Sequence, residues 1–115
     1  MKQDKMLSLL GLAKRAGKIQ SGAFLAEKSV RSGSAHLVIV ASDASGNTKK
    51  KFTDKCGYRH IPVCISTVDM ETIGAGIGEG PRSVVSIDDA GFAKTLMDIT
   101  QNLSDITPAG DHIHE

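Results

Sequence analysis

The sequence predicts an α/β domain, a sheet carrying helices on both faces. Three compact apolar runs, "HLVIVA", "IPVCI" and "SVVSI", have the length and β-branched content of buried strands. The segments around them repeat apolar residues at helical spacing. The length of 115 residues is that of one domain, enough to build a single core without staples.

Each element follows in order from local signals. Asp4 can cap a first helix in which Met6, Leu9, Leu10 and Ala13 recur at helical spacing, with Gly17 placed to end it. "KIQSG" is a short extended link. Ser21 or Gly22 starts a second helix that ends at Gly33. The strand "HLVIVA" runs into the turn "SDASGN", where Asn47 is a good cap for a third helix reaching about Cys56, with Phe52 and Cys56 turned inward. After the strand "IPVCI", Ser66 or Thr67 caps a short helix that stops at Gly74. The loop "GAGIGEGPR" leads to the strand "SVVSI". Asp88 or Asp89 caps a last helix whose Phe92, Leu96, Ile99 and Leu103 form one apolar stripe. Residues 1–103 are expected to form the domain, and 104–115, ending in "DHIHE", a flexible tail.

Composition narrows the function classes. No apolar run approaches the roughly 20 residues of a membrane span. "MLSLLGLA" is too short for a secretory signal and is flanked by charge, so a cytoplasmic protein without membrane contact is expected. Cys56 and Cys64 form no CxxC pair and are expected as buried reduced thiols. His112 and His114 alternate as metal ligands can, but they lie in the polar tail without nearby carboxylates or thiols in an ordered element, so no metal site is expected there. Residues 1–60 carry 12 Lys/Arg against 4 Asp/Glu, whereas residues 61–115 carry 2 against 9. Such a division points to a polyanion-facing surface built from the first half, or to two halves that attract each other in the fold.

Three motifs bear on chemistry. The glycines of "GAGIGEG" follow a helix and precede a strand, the reverse of a dinucleotide fingerprint, so no nucleotide cofactor is expected. Asp43 lies at the end of a strand but has only Ser, Thr and Lys around it in sequence, so it reads as a structural residue bonding the turn's amides. The third motif is the second helix, "SGAFLAEKSVRSG". At 100° per residue, Ala23, Ala26, Ser29 and Val30 share one side, small enough to pack on a sheet. Phe24, Lys28 and Arg31 share the opposite side. An aromatic flanked by cations on an exposed helix face is the composition of a nucleic-acid contact. The other reading is a Phe folded over the neighbouring loop beside snorkelling cations.

The blocks "LLGLAKRAGKIQSG", "AHLVIVASDASGNTKKKFTDKC", "IPV" and "VVSIDDAGFAKTL", in this order and spacing, resemble the kink-turn-binding ribosomal-protein superfamily (L-seven-Ae and L-thirty-e), in its bacterial YlxQ-type branch. The resemblance covers about residues 5 to 100. It implies a three-layer α/β/α sandwich around a mixed four-stranded sheet, binding to structured (kink-turn-like or bulged) RNA, and no enzymatic chemistry. The RNA surface it implies is the loop opening the second helix, Gly22 to Lys28, together with the loop before the last strand, Gly76 to Arg82. Gly22 would let RNA approach the backbone, and Lys28 matches a phosphate-contacting lysine. The kink-turn binders carry Gly-x-Asn-Glu at the helix opening, and their Asn and Glu read guanine edges. Aligned without a gap, this chain has Gly22, Ala23, Phe24 and Leu25, so discrimination for a standard kink-turn is expected to be weak.

The expected RNA contact is therefore Gly22, Ala23, Phe24, Leu25, Lys28 and Arg31, with Arg82 alongside. The expected partner is RNA, with ribosomal RNA a candidate, bound by a monomer without cofactor. The rival is a protein-interaction module that kept the fold and uses Phe24 and Leu25 as an apolar docking patch. An enzyme is not expected, since the sequence offers no nucleophile–base or metal constellation.

Overall fold

The computed structural model describes residues 2–100 and 106–107. The elements run α1 (Lys2–Arg15), β1 (Ile19–Ser21), α2 (Ala23–Ser32), β2 (Leu37–Val40), α3 (Gly46–Tyr58), β3 (Val63–Ile65), α4 (Met70–Gly76), β4 (Val84–Ile87), α5 (Ala90–Thr100) and β5 (Ile106–Thr107). The sheet has the order β1-β4-β2-β3-β5. β2 and β3 are parallel, with Val38 opposite Val63. β4 is antiparallel to both β1 and β2, with Ile87 opposite Ile19 on one side and Leu37 on the other. The mixed four-stranded sheet is as expected, and the two-residue β5 adds antiparallel to the outer edge of β3. Apart from this strand, the residues expected as a tail lie outside those described, as does Leu103 of the apolar stripe.

Alternation along the strands divides the core into two layers. Leu37, Ile39, Cys64, Val85 and Ile87 point to one face, where Met6, Leu10 and Ala13 of α1, Ile73 of α4 and Leu96 of α5 cover them. Val38, Val40, Val63 and Val84 point to the other, under Ala26 and Val30 of α2 and Phe52 and Cys56 of α3. The two cysteines thus sit buried in opposite layers. Burial pushes the Cys56 thiol up to about 12, so it stays protonated near neutrality.

Local chemistry explains where the boundaries differ from the sequence expectation. "IQS" is a strand, not a link, because β4 offers it a hydrogen-bonding edge and Ile19 reaches the core. Ser45, not Asn47, caps α3 by accepting the Thr48 N–H at 3.1 Å. Asp69 caps α4 by accepting the Thr72 N–H at 2.8 Å, while Ser66 takes the Val68 N–H in the preceding turn. α1 starts ahead of Asp4, which falls in its first turn. Asp89 accepts the Phe92 N–H at 2.9 Å and so opens α5. Asp88 has a different task, accepting the hydroxyls of Ser29 on α2 and of buried Ser86 on β4. Buried hydroxyls need such acceptors, and the pairing fastens α2 to the sheet. Of the "GAGIGEG" glycines, Gly74 is required by packing and Gly78 by its φ of 76°. A Cβ on Gly74 would lie 1.9 Å from the Gly80 carbonyl oxygen, so the loop folds back onto the end of α4 only if that side chain is absent.

Candidate nucleic-acid interface

The candidate site begins where β1 turns into α2. Gly22 carries φ 93° and ψ 154°, a backbone region essentially reserved for glycine. It occupies the cap position of α2 with no side chain to bond, and its own N–H donates to the Val84 carbonyl at 2.8 Å. That bond fixes the start of α2 against β4. Within the helix, Ala26, Ser29 and Val30 are buried on the sheet side, as the sequence pattern requires. The opposite face is open. Phe24 is 77% exposed and Leu25 40%, and Lys28 and Arg31 are exposed as well. Phe24 is therefore not folded over the neighbouring loop.

Arg82 lies beside this opening in the loop before β4, and the fold engages it closely. Its Nε donates to Ser21 Oγ at 3.2 Å and its guanidinium to the carbonyls of Gly80 and Pro81. It also pairs with Glu79 at 3.2 Å, and Glu79 in turn holds Lys14 at 2.7 Å. The Lys14 ammonium, with help from Arg82, holds the Glu79 carboxyl below the usual carboxylate range. Arg82 thus fastens the two loops of the candidate site to each other. The structure brings Gly22, Ala23, Phe24, Leu25 and Arg82 together, with Lys28 one turn along the helix. Arg31 stands farther off, at the last turn of α2.

What sequence reasoning missed lies between α2 and α3. Glu27 receives Lys51 at 2.7 Å, Arg31 at 3.3 Å and Lys55 at 3.4 Å. The hydrogen bond from Lys51 dominates over partial desolvation and, with the charges of Lys51 and Lys55, keeps the Glu27 carboxyl below its ordinary range. Three cations on one carboxylate leave this face positive. The spacing of Lys51 and Lys55 at i, i+4 sets both along one side of α3, but nothing in it points to Glu27 on another helix. Asp43, by contrast, has a structural role with a longer reach than its own turn: it accepts the Met70 N–H at the start of α4, at 2.8 Å.

Among the described residues no group of three or more His, Cys, Asp and Glu side chains is arranged to hold a metal. No helix among them is long and apolar enough to cross a membrane.

Comparison with known proteins finds relatives over most of the chain. The model of the ribosomal protein L7Ae/L30e/S12e/Gadd45 family matches residues 4–97. The chain is 44% identical over 91 residues to the RNA-binding protein YlxQ of Bacillus subtilis (strain 168), covering 79% of this chain and 90% of that protein. It is 41% identical over 99 residues to the RNA-binding protein YlxQ of Enterococcus faecium, covering 86% and 94%. Among solved structures, a protein with unknown function from Bacillus halodurans C superposes with a TM-score of 0.81 at 42% identity, over 84% of this chain and 97% of that one. The Giardia lamblia 15.5kD RNA binding protein shares the fold, with a TM-score of 0.74 at 23% identity over 89% and 87% of the two chains.

Proposed function

The chain belongs to the ribosomal protein L7Ae/L30e/S12e/Gadd45 family, in the branch of the bacterial YlxQ proteins, and from that premise we propose that it is a non-catalytic, cytoplasmic module binding structured RNA, bent or bulged, as a monomer. The observation that carries this reading is the opening of α2. There a glycine in a conformation closed to other residues is pinned to β4 beside a 77% exposed phenylalanine. Gly22 leaves the backbone bare for close approach, Phe24 offers a ring face to an unstacked base, and Lys28 and Arg31 meet phosphates along the same helix face. Arg82 positions the adjoining loop. The YlxQ proteins it resembles are described as RNA-binding, which supports the same partner. Ala23, Phe24 and Leu25 supply no base-edge hydrogen bonds from their side chains, so affinity rests on stacking and charge.

The test is a titration of a kink-turn RNA at several salt concentrations. Affinity should fall steeply as salt rises, and Lys28→Ala and Arg31→Ala should each flatten the slope of log K against log salt by about 0.7–0.9, one phosphate contact apiece. Slopes unchanged in both variants would remove the phosphate contacts from the reading. Failure to bind RNA even at low salt would transfer Phe24 and Leu25 to an apolar protein-docking patch.

A further inference from the structure

The last turn of α3 carries the chain's one tyrosine, and Tyr58 is 81% exposed. Among the described residues no hydrogen bond or ring contact engages it. It stands on the rim of a groove of about 430 Å³ between α2 and α3, with Val30 at its base and Arg31, Asp54, Lys55 and Arg59 around it. That volume is in the range of small-ligand clefts. Its charge is one-sided. Arg59 reaches across the end of α2 to donate to the Arg31 carbonyl at 3.0 Å. Lys50 holds Asp54 at 3.0 Å, and Glu27 is shared among Arg31, Lys51 and Lys55. Three cations and one carboxylate thus line the groove with a bare aromatic ring, and that carboxylate is already paired with Lys50 outside it.

We propose that this groove is a second nucleic-acid contact, a stacking site for unpaired nucleotides that continue from the structured RNA held at the start of α2. A base lies on the Tyr58 ring, and its phosphates face Lys55, Arg59 and Arg31. Continuity supports this occupant. Phe24 and Arg31 are seven positions apart on α2, a rise of about 10 Å, so a strand leaving the first site along the helix arrives at the groove. The inference rests on the RNA-binding reading and adds to it a site outside the two loops that the family resemblance implicates.

The experiment compares a blunt kink-turn RNA with the same RNA extended by roughly eight unpaired adenosines on either end in turn, within the site sizes such surfaces take. The unmodified protein should bind one extended form about 5- to 100-fold more tightly than the blunt form, the effect of stacking a base. Tyr58→Ala should lose that gain with blunt-RNA affinity unchanged, and Tyr58→Phe should keep it. Because the chain has one Tyr and no Trp, its intrinsic fluorescence reports this ring alone, and it should be quenched by the extended RNA and not by the blunt one. Blunt RNA bound with no gain from either extension, a gain that survives Tyr58→Ala, or quenching equal for both RNAs would overturn this site and leave the first one standing. Failure of every RNA to bind, with an acidic peptide bound instead, would overturn both.

Discussion

Two phenylalanines in this chain allow the same chemical deletion to be made in opposite surroundings. Phe52 is fully buried between α3 and the sheet, whereas Phe24 is 77% exposed at the start of α2. Truncating Phe52 to Ala removes a packed ring and leaves a cavity, at a cost of about 3–5 kcal/mol. Phe24 keeps only about a quarter of its surface from water, roughly 50 Å² of a ring that buries 150–250 Å² in a core, or about 1 kcal/mol of burial. Ala is also the better helix former by roughly 0.5 kcal/mol, which offsets part of that loss. Phe24→Ala should therefore change stability by about 0.5 kcal/mol, while RNA affinity falls by about 1–3 kcal/mol, a stacked base's worth. Urea melts of both variants, read by circular dichroism, and RNA titrations of the unmodified protein and Phe24→Ala decide the matter. A Phe24→Ala loss above about 2 kcal/mol in the melts would show a core residue. Unchanged RNA affinity would show a ring that touches nothing.

Phe24→Asn with Leu25→Glu should raise discrimination between a kink-turn and the same RNA with its sheared G·A pairs mutated. Each guanine edge left unpaired by the native side chains costs about 1–3 kcal/mol, and strong discrimination by the unmodified protein would refute that reading. Glu27→Gln should tighten RNA binding and steepen its salt slope, because three cations lose their shared carboxylate. The lowered Glu27 carboxyl stabilises the fold above the ordinary carboxylate range, and this contribution is lost as pH falls through the lowered folded value. Thermal melts below about pH 5 should accordingly show a shallower acid limb in Glu27→Gln than in the unmodified protein. Gly22→Ala should cost about 1–3 kcal/mol by backbone strain alone, since a Cβ there meets nothing within 4 Å; equal melts would contradict it.

The α/β class and most elements were legible because their signals are local. "HLVIVA" carries buried β-branched residues whichever way the chain turns, and the small face of α2 shows in its period. β1 was not legible, since Ile19–Ser21 has one apolar residue and becomes a strand only when β4 lies beside it. The caps went astray for a related reason. Ser45 and Asp69 each lay within two or three positions of an equally good capping residue, and backbone geometry chose between them. At the site, the exposed face of α2 followed from angle arithmetic. The engagement of Arg82 with Ser21 and Glu79, partners 61 and 3 positions away, depends on how two loops meet. The Glu27 cluster likewise needs α2 and α3 side by side, and no spacing within either helix displays it.

The charge division of the sequence takes on a definite meaning in the fold. Arg31, Lys51, Lys55 and Arg59 come from the basic half and meet where α2 and α3 lie side by side, with Glu27 held among three of them. A carboxylate so placed does two things at once. It binds the two helices together through the cations it shares, and it holds those cations in place while leaving the face net positive. Such a surface attracts phosphates over a range of about 8–10 Å at ordinary salt, whatever bases they carry. The opening of α2 follows the same logic, since Phe24 and Leu25 offer area to a base and no hydrogen bonds to its edges. Stacking and charge both tolerate sequence. Under the proposed function, discrimination therefore has to come from RNA shape: which bend brings a bare base to Phe24 while its backbone passes Gly22 and follows the cations along α2.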